Sequence, residues 1–497
     1  MSLRAVWIVS AKSDLPIYSR YFPSVEARSR STLGNLFVKI PPEREFVKEL
    51  LIEVGLREGG TFVESRDNCD KQVVYPAFHL KTEHGILWPV VIMECKGFIL
   101  CALPHDDNNP KIIPPICQVS LSHMPSIALA LEVLNGLAEC ILNSKNSSAE
   151  GNLPMTEVIQ YVNVSLPFGR PISCDISVCG QLGSVVKGKA KVPTWNPMPH
   201  KGKSQVVLHI KEEVRSTQFN HLEMKDSVDV FGTVMCRAEV EGNAPEISLG
   251  LIQSAGGNGS GLVVNPGVCN VENLSQTSFR LRFYPSNSQP LCHYSLPLIT
   301  DPPIFGAFSI KMNDNVATIN LQLQLRNNVK NLFQQLEVQV PFPGFVIQSV
   351  RPNYSQGSVK IQSRNIVTWN VGSKFPSKTL TATINAAVKL NRIQKPCNNA
   401  SLDTVTSVDT RSTTFSDNSS GNMNSAYALV LFKIADFTYS GTKIDPQSIV
   451  VSTAAKVRCS VSSEFVSKVY KLWNSEGEVP VPASIFAEDL KVLLKQS

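Results

Sequence analysis

The 497-residue sequence reads as having no apolar stretch with the length of a membrane span. Its opening, MSLRAVWIVSAKSDLP, holds an apolar run of roughly seven residues before Lys12 and Asp14, too short for a signal-peptide core. The expected setting is therefore the cytosol. Twelve cysteines are present, yet no two stand as C-x-x-C, which argues against a zinc ribbon or a dithiol redox site. Several, such as Cys95, Cys101 and Cys236, sit in apolar strand-like runs and read as buried reduced thiols.

Motifs that carry chemistry are also missing. Neither G-x-x-x-x-G-K-[ST] nor H-E-x-x-H occurs, and the glycine run Gly256–Gly261 leads to Pro266 where a phosphate loop would need a helix start. His79 and His84 lie near Cys69 in a strand-like segment without a second ligand cluster, so they read as structural histidines. His105, Asp106 and Asp107 read as a solvated loop tip. No catalytic residue, metal or cofactor is expected, and the chain does not read as an enzyme. A formal net charge of +6 is mild for this length, so no nucleic-acid partner is expected either.

What the sequence does contain is β-pattern. Between Val316 and Val371 apolar residues keep a period of two: Ile319, Leu321, Leu323 and Leu325 alternate with Asn320, Gln322, Gln324 and Arg326. Leu336, Val338 and Val340 repeat the pattern until Pro341, Pro343 and Gly344 stop it. Short strands follow at Val359–Ile361 and Ile366–Val371. From Gln205 onward about a dozen such runs appear with no strong helix among them, which predicts an elongated antiparallel β-sandwich.

The first third reads differently. AVWIVSA and Ile17–Phe22 are expected as strands, EREFVKELLIEVG as a helix with Gly55 as its stop, LWPVVIMECKGFILCALP as a hairpin turning at Lys96 and Gly97, and IALALEVLNGLAECIL as a second helix. That order makes a compact α+β layer. A basic, proline-containing linker separates the two parts and carries Lys187, Lys189, Lys191, Lys201 and Lys203. It reads as a tether, or alternatively as a contact for a membrane surface. A serine-rich loop at about 391–425 is expected to be disordered, and ASIFAEDLKVLLKQS at the end reads as a short amphipathic helix.

AVWIVSAKSDLPIYSRYFP, with its Arg20–Tyr21 step, is similar to the opening of the longin-like domain of adaptor medium and small subunits. The sandwich motifs P-F-P-G (Pro341–Gly344), G-S-V-K (Gly357–Lys360), W-N-V-G (Trp369–Gly372) and K-F-P (Lys374–Pro376) resemble those of the mu (medium) subunits of heterotetrameric adaptor complexes. RAVWIVS, FVESRDNC, KFPSKTL and YKLWNS look most like the branch of that family found in adaptor-protein complex 5. The resemblance implies a longin-like assembly domain over 1–183, a linker over 184–204, a mu-homology domain over 205–475 and a tail over 476–497.

It further implies a non-enzymatic subunit that sorts cargo in endosomal, vesicle-mediated transport. Its partners would be large zeta and beta subunits and a small sigma subunit, with spatacsin and spastizin as associated proteins. Its place would be the cytosol and, peripherally, late endosomal and lysosomal membranes. A free-standing mu-homology adaptor or scaffold outside a tetramer is the alternative.

Endocytic members of the family add a tyrosine-motif (Y-x-x-Φ) peptide to a strand edge. Their pocket uses a phenylalanine and an aspartate on the first sandwich strand, a lysine on a later one, and a Trp-x-Arg near the end. Carried over, these positions fall on Val207, His209 and Arg237, and the segment after Tyr439 reads QSIVVSTAAK where Trp-x-Arg is expected. The resemblance therefore implies a degenerate pocket that does not bind this motif.

Overall fold

A computed structural model describes residues 2–476 apart from 11–12, 14, 34–36, 59–60, 63–76, 106–124, 144–152, 173, 175–203, 221–225, 241–245, 254–261, 265–268, 276, 285–289, 297–300, 393–425 and 453–456. The first layer opens with β1 (Ser2–Ser10), β2 (Tyr18–Tyr21), α1 (Pro23–Leu33) and α2 (Glu43–Glu53). A small hairpin follows, β3 (Arg57–Glu58) with β4 (Thr61–Phe62), then β5 (Ala77–Thr82), β6 (Gly85–Cys95) and β7 (Phe98–His105). Helices α3 (Pro125–Asn143) and α4 (Met155–Ser165) complete it.

The main sheet of this layer has the order β2-β1-β7-β6-β5. Helices cover both its faces. Leu3, Val6 and Ile8 of β1 share a core with Ile127, Val133 and Leu137 of α3, while Ala5, Trp7 and Val9 pack with Phe46, Val47 and Leu50 of α2. A strand buried on two sides has no wet face, which is why AVWIV is apolar without alternation. The β6–β7 turn falls at Lys96 (φ 49°) and Gly97 (φ 76°), the paired left-handed conformation that two-residue hairpins need.

Three features of this layer depart from the sequence reading. The low-hydropathy segment PSVEARSRSTL is helix α1, and the β-branched segment MTEVIQYVNVS is helix α4. In addition, the 18-residue window Pro125–Leu142 of α3 has a mean hydropathy of 1.5, enough to cross a membrane by length and composition. Its apolar face, however, packs on β6 and β7 inside the core.

From Gln205 the described chain is β. The strands are β8 (Gln205–Gln218), β9 (Ser227–Glu239), β10 (Ile247–Ile252), β11 (Leu262–Val264), β12 (Cys269–Asn273), β13 (Ser278–Phe283) and β14 (Pro290–Ser295). They continue with β15 (Ile304–Asn313), β16 (Val316–Leu325), β17 (Gln335–Pro341), β18 (Phe345–Tyr354) and β19 (Ser358–Ser363). Last come β20 (Ile366–Asn370), β21 (Thr381–Arg392), β22 (Tyr427–Ala435), β23 (Lys443–Val451) and β24 (Arg458–Trp473). A nine-stranded sheet, β11-β14-β9-β8-β24-β22-β17-β20-β19, runs the length of the sandwich. Two four-stranded sheets, β12-β13-β10-β23 and β15-β16-β21-β18, each cover one half of it.

The motifs of the β-rich stretch find their physical reasons here. β16 alternates strictly between exposed and buried residues, with Ile319, Leu321, Leu323 and Leu325 inside. In the P-F-P-G turn Phe342 is fully buried and Gly344 takes φ 81°. Trp369 is a core residue whose indole N–H donates to the Gln356 carbonyl at 3.0 Å. Gly357 (φ 89°) leaves no room for a side chain, because a Cβ would lie 2.0 Å from the Asn370 carbonyl oxygen.

Among the described residues the two parts share a buried polar joint. Asp229 of β9 accepts hydrogen bonds from Arg28 of α1, at 2.8 Å, and from Arg170, which follows the 3₁₀ turn Pro167–Gly169. All three side chains are buried, and the Arg170 guanidinium stands 4.5 Å over the Phe231 ring. The basic linker residues Lys187, Lys189, Lys191, Lys201 and Lys203 lie outside the described residues, as does the segment 477–497. Of the expected loop at 391–425, the first two residues belong to β21, which continues to Arg392, and the remainder lies outside the described residues.

Candidate functional site

β8 lies in the middle of the nine-stranded sheet, antiparallel to β9 and parallel to β24. It is the only parallel pairing among the described strands. Its even-numbered residues, among them Val206, Leu208 and Ile210, point into the core. The odd-numbered ones, Val207, His209 and Lys211, therefore face outward. Register sets Arg237 and Ser460 on either side of Val207, and Met235 and Ser462 on either side of His209. The three carried-over positions thus share one patch of the sheet surface.

The chemistry of that patch is polar and self-paired. His209 Nδ1 lies 2.9 Å from Ser462 Oγ, and its Nε2 is 3.6 Å from Glu464 Oε1. Glu464 also takes a 2.6 Å ion pair from Lys433. Partial burial works to raise the Glu464 carboxyl pKa, but the hydrogen bond and charge of Lys433, with help from His209, hold it below its usual range. Arg237 turns away to Glu239 at 2.7 Å. No aromatic ring stands among the residues paired beside Val207 and His209.

The strand edge beside this patch is open. β22 accompanies β24 only as far as the Ala435–Glu464 pair, and the Asp436 N–H closes on the Ser463 carbonyl at 2.7 Å. Beyond that point Arg458–Ser462 of β24 pair with β8 on one side and with no described strand on the other. Val461 is 37% exposed on this edge. An extended peptide can add its backbone there.

QSIVVSTAAK was expected next to the pocket, and the structure does not place it there. Its described part, in β23, pairs with β10 in a separate sheet, and β24 takes the place beside β8. Ser460, Ser462 and Glu464 were consequently missed. The signal available in sequence was weak, since VRCSVSSEF has no strict alternation and its partner lies about 250 residues away.

Under the patch a buried carboxylate ties the sheet together. Glu212 accepts from the Tyr294 hydroxyl at 2.7 Å, from the backbone N–H groups of Tyr439 and Ser440 at 2.6 and 3.2 Å, and from the Ser440 hydroxyl. Burial raises the Glu212 pKa, and these four donors work against the rise. Tyr294 fits because residue 232 is glycine, where a Cβ would fall 2.0 Å from the phenol ring. The network is structural, fixing the turn after β22 and with it the end of the open edge.

Residues 193–469, more than half of the chain, match the family described as the adaptor complexes medium subunit family. The chain belongs to that family. This medium subunit is 27% identical to the AP-5 complex subunit mu-1 of Bos taurus, over 97% of this chain and 99% of the relative. It is equally similar, at 27% identity and the same coverage, to the AP-5 complex subunit mu-1 of Homo sapiens. Among solved structures, the Fcho1 mu homology domain of Danio rerio with bound Eps15 peptide has a TM-score of 0.37 at 11% identity, covering 56% of this chain and all of that one. The medium subunit is thus a non-enzymatic trafficking adaptor subunit, an α+β longin-like layer followed by a mu-homology sandwich, and other adaptor subunits are its partners. Among the described residues no cluster of His, Cys, Asp and Glu is arranged to hold a metal.

Proposed function

We propose that this medium subunit is assembled through residues 1–183 with large zeta and beta subunits and a small sigma subunit. Spatacsin and spastizin act as associated proteins, and the complex works peripherally on late endosomal and lysosomal membranes. The observation that carries this reading is the end-to-end match with the AP-5 mu-1 relatives, which includes the longin-like layer that a free-standing adaptor would not need. Residues 184–204 serve as the tether, 205–475 as the cargo- or partner-binding body, and 476–497 as the tail. The lysines of the tether, Lys187 to Lys203, face the membrane.

Cargo in this reading docks on the open edge of β24 without a tyrosine anchor. Val207 and His209 supply neither an aromatic wall nor a carboxylate for a phenol, and His209 is already engaged by Ser462. A buried phenol without a partner forfeits about 1–3 kcal/mol in addition to stacking area. Titration of the purified chain with a Y-x-x-Φ peptide and its tyrosine-to-alanine version is expected to give the same weak response. Tyrosine-dependent micromolar binding that is lost in His209→Ala would refute this part. Affinity capture of the tagged full-length chain tests the assembly: the larger subunits and the small one should come with it.

A further inference from the structure

The far end of the sandwich carries a one-sided charge that the overall balance conceals. Between Glu337 and Asp403 the sequence has no acidic residue, but it has eight lysines and arginines, more than the net charge of the whole chain. The described part of this stretch, up to Arg392, closes β17 and forms β18 to β21. There β19 is the last strand of the nine-stranded sheet and β18 the last strand of the four-stranded sheet facing it. No residue from 348 to 364 is buried, and Ile361 is 43% exposed.

The two edges differ in what they can accept. β18 contains Pro352 and a register shift between Ile347 and Ser349, both of which interrupt strand addition. β19, SVKIQS, has neither proline nor glycine. It pairs with β20 in regular register from Ser358 to Ile361, and no described strand lies on its other side. The outward half of its backbone donors and acceptors is therefore open to a further strand. Val359 and Ile361 lie on the face shared with Trp369 and Val367, while Lys360 lies on the opposite face and Arg364 at the following turn. Neither cation forms an ion pair among the described residues.

A lysine on an edge also keeps like strands apart. That role leaves the exposed Ile361 and the absence of any carboxylate along the whole stretch without explanation. We propose that β19 accepts an extended acidic segment of a partner protein as a tenth strand. Its backbone pairs with Ser358–Ile361, its apolar residues rest on Val359 and Ile361, and its carboxylates meet Lys360 and Arg364. This surface lies at the opposite end of the sheet order from β14 and β11 and is separate from the open edge of β24. An anionic membrane would use the cations alone, whereas the free ladder and alternating apolar side chains select a strand. The inference does not depend on which adaptor complex contains the chain.

The test is a fluorescence anisotropy titration of the full-length chain with a labelled decapeptide alternating glutamate and valine. Matched peptides carry lysine for glutamate, or N-methyl groups on alternate backbone amides. The glutamate peptide should bind and slow hydrogen exchange across Ser358–Ile361, and neither matched peptide should do so. Lys360→Glu combined with Arg364→Glu should weaken binding by about tenfold or more. Ile361→Pro should abolish it while the unfolding midpoint of this exposed strand variant stays near that of the parent. Equal binding of the N-methylated peptide, or an unchanged affinity after the double charge reversal, would overturn the proposal. So would a failure of the peptide to bind when phosphatidylserine vesicles bind the parent but not the double variant, which would assign the surface to lipid.

Discussion

Removing the carboxylate of Asp229 should open the joint between the longin-like layer and the sandwich. Arg28, Arg170 and Asp229 are 5%, 6% and 8% exposed, so the substitution Asp229→Ala leaves two guanidinium groups buried without their shared acceptor. Burial already pulls the Arg170 pKa down to about 10 even with Asp229 beside it, and Arg215 and Arg28 push in the same direction. Loss of one partner of a buried charge cluster costs about 3–5 kcal/mol. At about 1.4 kcal/mol per factor of ten, local opening should become roughly two to four orders of magnitude more frequent, unless global unfolding intervenes. Hydrogen exchange read at Ser227–Phe231 and along α1 measures this, and Asp229→Asn, which keeps an acceptor, should show a smaller change. Replacing both arginines by methionine in the Asp229→Ala background should restore much of the protection, because apolar side chains of similar volume need no counter-charge. Unchanged exchange at α1 and β9 in Asp229→Ala would show that the Asp229 carboxylate does not hold the joint closed.

Three further outcomes follow from the same sheet. Gly232→Ala drives a methyl into the Tyr294 ring and should destabilise the chain by about 1–3 kcal/mol in a urea titration. Tyr294→Phe deletes one of the donors on buried Glu212 and should cost a similar 1–3 kcal/mol, with faster exchange in the Tyr439–Thr442 turn. Burial lowers the pKa of His293 to about 4, so the folded chain keeps it neutral where an unfolded chain, with its pKa near 6.5, takes up a proton. The stability this group supports is present above about pH 6.5 and is lost as pH falls toward 4, on the order of 3 kcal/mol. Unfolding midpoints measured across that window should fall less steeply for His293→Gln than for the parent.

Much of the fold was legible because its signals are local. The alternation of β16, the Lys96–Gly97 turn and the apolar faces of α2 and α3 each depend on residues within a few positions of one another. Where a helix rich in β-branched residues hid its periodicity, the reading failed, as at α4 with Val158, Ile159, Val162 and Val164. α1 was hidden for a different reason. Arg28 and Ser29 are buried at the joint, so the inward face of that helix looks polar in the sequence. The carried-over positions on β8 and β9 fall in one patch, whereas the β24 residues beside them were not read from the sequence. Parallel pairing of Ser460 with Val207 and of Ser462 with His209 spans more than half the chain and leaves no pattern in either segment. The Arg28–Asp229 contact, 201 residues apart, is of the same kind.

Native mass spectrometry of the tagged full-length protein, recovered from its own cells, reads out whether this chain works as the medium subunit of an adaptor assembly. A single assembly is expected, in which the 54.5 kDa chain is stoichiometric with two larger subunits and one smaller subunit. A monodisperse 54.5 kDa species recovered alone would contradict it.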